Sequence, residues 1–239
     1  MNPGVDVGRV SLQKMAKLNH YGDWLYQNIE PFVGRRVLEV GCGLGNMTRY
    51  FLRSELVLAT DCSKRYVEEV RLKFGGMESF EALVYDTEDE GTAEFSGYQI
   101  DTVICISVLE HIRDDLRALR NMARILREDG RLILVVPSFG WLFGSLDRAA
   151  GHYRRYDQKD LRERIVQSGL VLERLFYMNF VGIFGWYLNY RVLNKRVPPD
   201  RQSSLFDKLV PFFASVERVF RPPVGLSMVC VCRKRGERL

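Results

Sequence analysis

The segment Val37-Leu38-Glu39-Val40-Gly41-Cys42-Gly43-Leu44-Gly45-Asn46 constrains this chain more than any other. An apolar run of strand length ends in glycine at three alternate positions, and a helix opens behind it. Glycine lets the backbone take positive φ and lets a ligand come into contact with the main chain. Strand, glycine turn and helix in succession imply a nucleotide-containing cofactor at the carboxyl edge of an open α/β sheet. The spacing bears on the kind of cofactor. A dinucleotide fingerprint needs glycine three residues after Gly43, where Asn46 stands. The pattern is ExGxGxG, with Glu39 two residues before the first glycine, and a nicotinamide-dependent oxidoreductase is disfavoured.

The surrounding sequence repeats the same alternation. Arg36 to Val40, Leu56 to Thr60, Phe80 to Tyr85, Ile100 to Ile106 and Arg131 to Val136 are nearly continuous apolar runs, as expected of central parallel strands covered on both faces. Between them Val67, Val70 and Phe74, and then Leu116, Leu119, Ala123 and Leu126, recur at helical spacing. Ser63 is placed to cap the first helix, and Asp129-Gly130 to end the second. The expectation is a doubly wound α/β sheet with right-handed crossovers. Residues 10–30 predict one or two helices across its front. Further strands are expected at Leu170 to Tyr177 and Ser227 to Cys232, separated by an aromatic, helical segment.

Two carboxylates follow the glycine turn at useful positions. Asp61 ends the second strand, where it can accept from vicinal ribose hydroxyls or simply serve as a helix N-terminal acid. Asp86-Thr87 follows the third strand, where a carboxylate can accept from an adenine amino group; Asp89 and Glu90 are nearby alternatives. A fourth strand runs through Ile106 and Ser107 into Val108-Leu109-Glu110-His111.

Together VLEVGCGLGNMT, Asp61, YDTED, DTVICISVLEHI and LREDGRLILVVPS resemble the successive motifs of class I S-adenosylmethionine-dependent methyltransferases, in particular the small-molecule enzymes similar to those of quinone biosynthesis. The resemblance covers residues 35–177. It implies a Rossmann-like, seven-stranded, mostly parallel sheet with an antiparallel last strand, helices on both faces, and a helical insertion before that strand. It also implies S-adenosyl-L-methionine as cofactor, leaving as S-adenosyl-L-homocysteine, and no metal. By the same resemblance Glu39, Gly41, Cys42, Gly43 and Gly45 hold the methionine part, Asp61 and Cys62 the ribose, and Asp86 and Thr87 the adenine. Ile106 and Ser107 pass along the sulfonium side. Tyr21 and Trp24 resemble an aromatic segment that covers the cofactor, with core packing of Trp24 as the alternative. The division expected is 1–34 as an N-terminal helical cap, 35–177 as the cofactor-binding core, 178–225 as the insertion, and 226–239 as last strand and basic tail.

Methyl transfer from a sulfonium is an in-line displacement in which orientation supplies much of the acceleration, and a base is needed only if the acceptor carries a proton at neutral pH. The chain has three histidines, His20, His111 and His152. His152 stands in Asp147-Arg-Ala-Ala-Gly-His-Tyr-Arg-Arg-Tyr156, on the carboxyl side of the fifth strand, and this DxxxGHxRRY loop resembles a bacterial branch of the same enzymes. His152 is the candidate base or acceptor-positioning residue. Tyr153, Arg154, Arg155 and Trp186 are candidate acceptor contacts; the arginines either grip an acidic acceptor or pair with Asp147 or Asp157. His111 is expected to order its turn.

The sixteen uncharged residues from Leu175 to Tyr190 are too few for a bilayer span, which takes about 20. They predict an acceptor lid, a dimer helix or, through 178–196 with Arg191, Lys195 and Arg196, a contact with an anionic membrane surface. Five cysteines without a CxxC pair, and an opening MNPGVDVGRV without a leader pattern, predict a reduced, cytoplasmic protein, membrane-peripheral at most. Net charge is +5, but the basic residues form no single tract, and no Asn-Pro-Pro-Tyr-like segment follows the fourth strand, so nucleic acid is not the expected substrate. The expected activity is methyl transfer to oxygen, nitrogen or carbon of a small-molecule or lipid-linked acceptor. The alternative is a non-catalytic scaffold or sensor that keeps the cofactor fold.

Overall fold

The computed structural model describes residues 6–89 and 91–235. Glu90, the tail from 236 onward and the first five residues lie outside this range. Strands β1 (Arg36–Val40), β2 (Leu56–Asp61), β3 (Phe80–Val84), β4 (Thr102–Ile106), β5 (Arg131–Pro137), β6 (Leu170–Met178) and β7 (Ser227–Lys234) form one sheet in the order β3-β2-β1-β4-β5-β7-β6. β7 runs antiparallel to both of its neighbours, and the other pairings are parallel. The order reverses between β1 and β4, and a crevice opens outside the carboxyl ends of strands at such a switch point.

Side chains alternate along each strand, so burial on both faces needs apolar residues at every position. Leu38, Leu58, Val103 and Leu134 face one layer, and Val37, Val57, Ile104 and Ile133 face the other. The first layer is covered by helices α5 (Asp115–Ile125) and α7 (Gln158–Gln167), through Leu119, Met122, Leu161 and Ile165. The second is covered by α2 (Asn19–Ile29), α3 (Thr48–Phe51), α4 (Lys64–Phe74) and α9 (Asp200–Val219), through Trp24, Ile29, Phe51, Val70 and Val210.

The 10–30 region is two helices, α1 (Val7–Met15) and α2, and α1 lies over the carboxyl edge of the sheet. Ser63 and Asp157 occupy N-cap positions without making side-chain cap bonds. Instead the Ser63 amide donates to Asp61 Oδ1 at 2.8 Å, so a carboxylate two residues earlier organises that turn. After β5 comes a short helix, α6 (Ser145–Ala150). The aromatic insertion is α8 (Gly182–Trp186), continued as one π-helical stretch over Tyr187–Val192, followed by α9. Among the described residues no helix is long and apolar enough to cross a membrane.

Candidate active site

One cavity of about 700 Å³ follows the carboxyl edge of the sheet, within the usual size range of small-molecule sites. Gly41, Gly43, Asp61, Asp86 and Thr87 line one end; Glu110, His111, His152, Arg155 and Trp186 line the other. Gly41 and Gly43 have φ of +74° and +51°. A Cβ on Gly41 would lie 2.3 Å from Val108 Cγ2, so only glycine fits where the chain passes under the cavity. Asp61 fixes the turn from below. Its Oδ2 accepts from the Gly43 amide at 2.9 Å and its Oδ1 from the Ser63 amide. A carboxylate has roughly four acceptor positions, so two remain for hydroxyls in the cavity.

Beneath the turn, Glu39 is buried and accepts from Thr48 Oγ1 at 2.5 Å. Burial, opposed by the Thr48 bond and reinforced by the Asp61 charge, pushes its pKa up to about 7. Burial also pushes the Cys42 thiol far up, with Glu39 and Asp61 adding to the shift, which makes it a poor nucleophile.

The other end is organised by Asp147. Helix α6 ends at Gly151 in the left-handed conformation, φ +81°. The His152 amide donates back to the Asp147 carbonyl at 2.9 Å and the Gly151 amide to Arg148, the pattern of a Schellman terminus. The Asp147 side chain then holds the ring as well, with His152 Nδ1 2.8 Å from its Oδ1. The same carboxylate accepts from the Gly144 amide at 2.7 Å and from Arg155 Nε at 3.0 Å. Burial would raise Asp147, but the His152 bond and the Arg155 charge outweigh it and hold its pKa below the ordinary carboxylate value. An ionised Asp147 requires His152 Nδ1 to be the donor, which leaves Nε2 as the acceptor in the neutral ring.

Beside His152 stand Glu110 and His111. One donor atom of each of the three lies within 4.8 Å of the others, close enough to share one cation. The His111 and His152 rings meet edge to face, 4.4 Å between centroids. Desolvation, then the proximity of His152, lowers His111 to about 4, so it is neutral at physiological pH. Glu110 is 1% exposed, and burial, moderated by His152, raises its pKa to about 7.

The fit to a polar ligand rests on one set of atoms. Among the described residues three buried side-chain polar atoms have no hydrogen-bond partner: Ser11 Oγ, Tyr85 OH and Glu110 Oε2. All three residues line this cavity. Unpaired buried polar groups are costly, and their concentration here suits a site that completes its hydrogen bonds with a ligand.

Of the residues singled out from sequence, Tyr21, Gly41, Gly43, Asp61, Cys62, Asp86, Thr87, Ser107, His152, Arg155 and Trp186 line the cavity. The others do not. Trp24 is 5% exposed in the core, edge to face with Tyr21. Glu39 and Cys42 lie below the turn, Gly45 abuts Phe74, and Ile106 packs within the sheet layer. Tyr153 is 56% exposed outside the cavity. Arg154 turns away to Asp115 at 2.6 Å and to the Arg113 carbonyl. Arg155 borders the cavity, but its fork is occupied by Asp147 and its guanidinium stacks 4.2 Å over Trp186. It is therefore a brace rather than a free anion clamp. The residues that sequence reasoning passed over are Ser11, Tyr85 and Glu110. Tyr85 and Glu110 stand within the YDTED and SVLEHI motifs, next to Asp86 and His111.

Two outcomes follow from these buried charges. Removing Asp147 leaves Arg155, whose side chain is 1% exposed, without its counter-charge. Asp147→Ala is expected to cost about 3–5 kcal/mol in urea unfolding, and a loss below about 1 kcal/mol would contradict the bracing role. Glu39 binds its proton more tightly folded, near pH 7, than at its ordinary value of 4.5. Folding stability therefore falls as pH rises from about 4.5 to about 7, by on the order of 3 kcal/mol for a shift of this size. Melting temperatures of Glu39→Gln and the wild type should diverge in favour of the variant toward pH 8; parallel curves from pH 5 to 8 would refute the shift.

Residues 38–132 match the methyltransferase domain family. A ubiquinone biosynthesis O-methyltransferase of Xanthomonas oryzae is 36% identical over 104 residues, 42% of this chain and 42% of the relative. Methyltransferase GfsG of Streptomyces halstedii is 28% identical over 114 residues, 46% and 40% of the two chains. The chain thus spans about two fifths of the length of the curated relatives it matches. Among solved structures, a putative methyltransferase of Bacillus halodurans superposes with a TM-score of 0.61 at 20% identity, covering 93% of this chain and 99% of that one. An S-adenosylmethionine-dependent methyltransferase of Mesorhizobium loti gives 0.63 at 12% identity, covering 90% and 100%. The glycine turn and β2 to β4 lie within the residues that match the methyltransferase domain model, and the likeness in fold to these solved structures extends over nine tenths or more of the chain.

Proposed function

We propose that this protein transfers a methyl group from S-adenosylmethionine to a small, hydrophobic or lipid-linked acceptor, in the cytoplasm or at its membrane face, and that nucleic acid is not its substrate. The observation that carries this reading is the continuity of one cavity from the glycine turn to His152. The core at 35–177 would hold the cofactor and the insertion at 178–225 would close the acceptor end. S-adenosylmethionine supplies an activated methyl on a sulfonium, which a nucleophile takes in line.

The chain's own residues do the rest. Gly41 and Gly43 let the cofactor lie against the main chain, Asp61 accepts from its ribose, and Asp86, Thr87 and Tyr85 meet its base. Ser107, held in left-handed backbone at φ +53°, borders the passage between the two ends. His152, oriented through Nδ1 by Asp147, takes the acceptor proton at Nε2. Glu110 Oε2 accepts from, or in its neutral form donates to, a polar group of the acceptor. Leu146 and Trp186 exclude water from the same end.

A second reading concerns only how the acceptor loses its proton. The grouping of Glu110, His111 and His152 within 4.8 Å favours a divalent cation held there. Dialysis against EDTA separates the two: lost turnover restored by Mn²⁺ supports the cation, and unchanged turnover leaves His152 acting alone.

The test of the main reading is calorimetry with S-adenosylmethionine, followed by turnover assays on cell-extract acceptors. Asp61→Ala should weaken cofactor binding about 10- to 100-fold, the worth of one or two charge-assisted hydrogen bonds. His152→Ala should leave cofactor affinity unchanged and lower kcat by about 10²–10⁴. Equal cofactor binding by Asp61→Ala and wild type, or full turnover by His152→Ala, would remove that residue from the role given to it.

A further inference from the structure

The helices that wall the acceptor end of the cavity carry a second apolar face turned outward. Trp186 and Tyr190 line the cavity from the insertion, and Ser203 and Phe206 line it from α9. The two elements are tied at both ends. Asn189 donates to Gln202 at 2.9 Å, and Glu217 accepts from the Asn179 and Phe180 amides at 3.0 and 2.8 Å. On α9, Phe206 and Val210 pack inward with α2, whereas Leu205, Leu209, Phe212, Val216 and Val219 are exposed, Phe212 by 65% and Val219 by 73%. Spacings of four and three place these five in one stripe about 21 Å long. Phe184, Leu188 and Val192, four residues apart, are exposed on the neighbouring segment. Apolar surface on this scale marks an interaction site.

Charge decides what covers it. Residues 174–221 hold eight basic side chains and three acidic ones. All three acids are engaged within the protein: Asp200 with Lys14, Asp207 with His20 and the Tyr21 amide, and Glu217 with the two amides above. Arg201, Lys208 and Arg221 make no ion pair among the described residues. Arg191, Lys195 and Arg218 bond to neutral groups, the Phe143 carbonyl, Asn189 and Gln27, with no acid set against them in those contacts. A second copy docked on this face would set like charges against one another. Anionic headgroups would neutralise them while the apolar stripe enters the acyl boundary.

We propose that the outer face of α9 and the 184–192 segment docks on an anionic bilayer, so that the cavity behind it receives an acceptor whose hydrocarbon part stays in the membrane. The membrane contact stands on the stripe and its charges; the acceptor class rests on the methyl-transfer reading above. The experiment is co-sedimentation of the full chain with vesicles of phosphatidylcholine alone or with about one third phosphatidylglycerol, over a range of salt, with cofactor binding measured on the same samples. Wild type should bind the anionic vesicles, weakly bind the neutral ones, and release with salt. Leu209→Ser with Phe212→Ser should reduce binding roughly tenfold or more. Arg201→Gln and Lys208→Gln should each reduce it about fivefold, and all variants should bind S-adenosylmethionine as wild type does. Equal binding by wild type and the double variant overturns the docking face, as does a dimer in sedimentation equilibrium that dissociates in that variant. Vesicle binding without cofactor binding would overturn the methyl-transfer reading and leave the docking face standing.

Discussion

Asp147 is the constraint on which the His152 end of the cavity depends. It is fully buried, and a buried carboxylate is stable only with its lone pairs filled and its charge countered. Four donors meet that need: the Gly144 amide, His152 Nδ1, and Arg155 through both Nε and its terminal nitrogen. Each attachment has a geometric consequence. The Gly144 bond starts α6, the His152 bond aims the ring, and the Arg155 bond sets the guanidinium under Trp186 and so seats the insertion over the cavity. Electrostatic demand at one atom group thereby places α6, the loop directly after it and, through Trp186, an insertion remote in sequence.

A second carboxylate, Asp115, explains the rest of the GHYRRY stretch. Buried at the start of α5, it receives Tyr156 at 2.9 Å, Arg154 at 2.6 Å and Arg164 at 2.7 Å. His152 and Arg155 thus go to Asp147 while Arg154 and Tyr156 go to Asp115. Four polar side chains in five residues act as a buckle between two acids, and only the histidine ring keeps a nitrogen free to face the cavity. A sequence dense in charge can serve chiefly to fix a single imidazole.

The fold was legible because its signals are local and periodic. Central strands with apolar residues at every position, and glycine at 41, 43 and 45, leave few alternatives to a two-faced parallel sheet with its site at the carboxyl edge. The cavity lining was legible where a motif carries it, as with Asp61, Asp86, Thr87 and His152. It failed where burial and partner choice decide. Nothing in the sequence distinguishes Arg154 from Arg155, since both suit either of two buried acids. Trp24 and Tyr21 lie three apart on one helix, yet only Tyr21 reaches the cavity, because α2 presents Trp24 to the sheet. Ser11, Tyr85 and Glu110 become conspicuous only once the other buried side-chain polar atoms among the described residues are seen to be paired, which is a property of the assembled structure.

The two ends of the cavity differ in how they treat charge, and the difference suits transfer of a cationic group. At the glycine turn Asp61 is anchored by backbone amides with Glu39 beneath it and Asp86 nearby, so the environment is acidic. At the far end His111 is held neutral, Glu110 sits near neutrality at about 7, and Arg155 is cancelled by Asp147. A sulfonium bound between them would lose its positive charge on transfer, while the acceptor loses a proton. A site whose far end carries little net charge would resist neither change, and in the proposed reaction His152 would move only one proton over a short distance. On the proposed methyl transfer, such an arrangement would favour an acceptor of low polarity whose reacting group is its one protic site, seated behind Trp186 and Leu146.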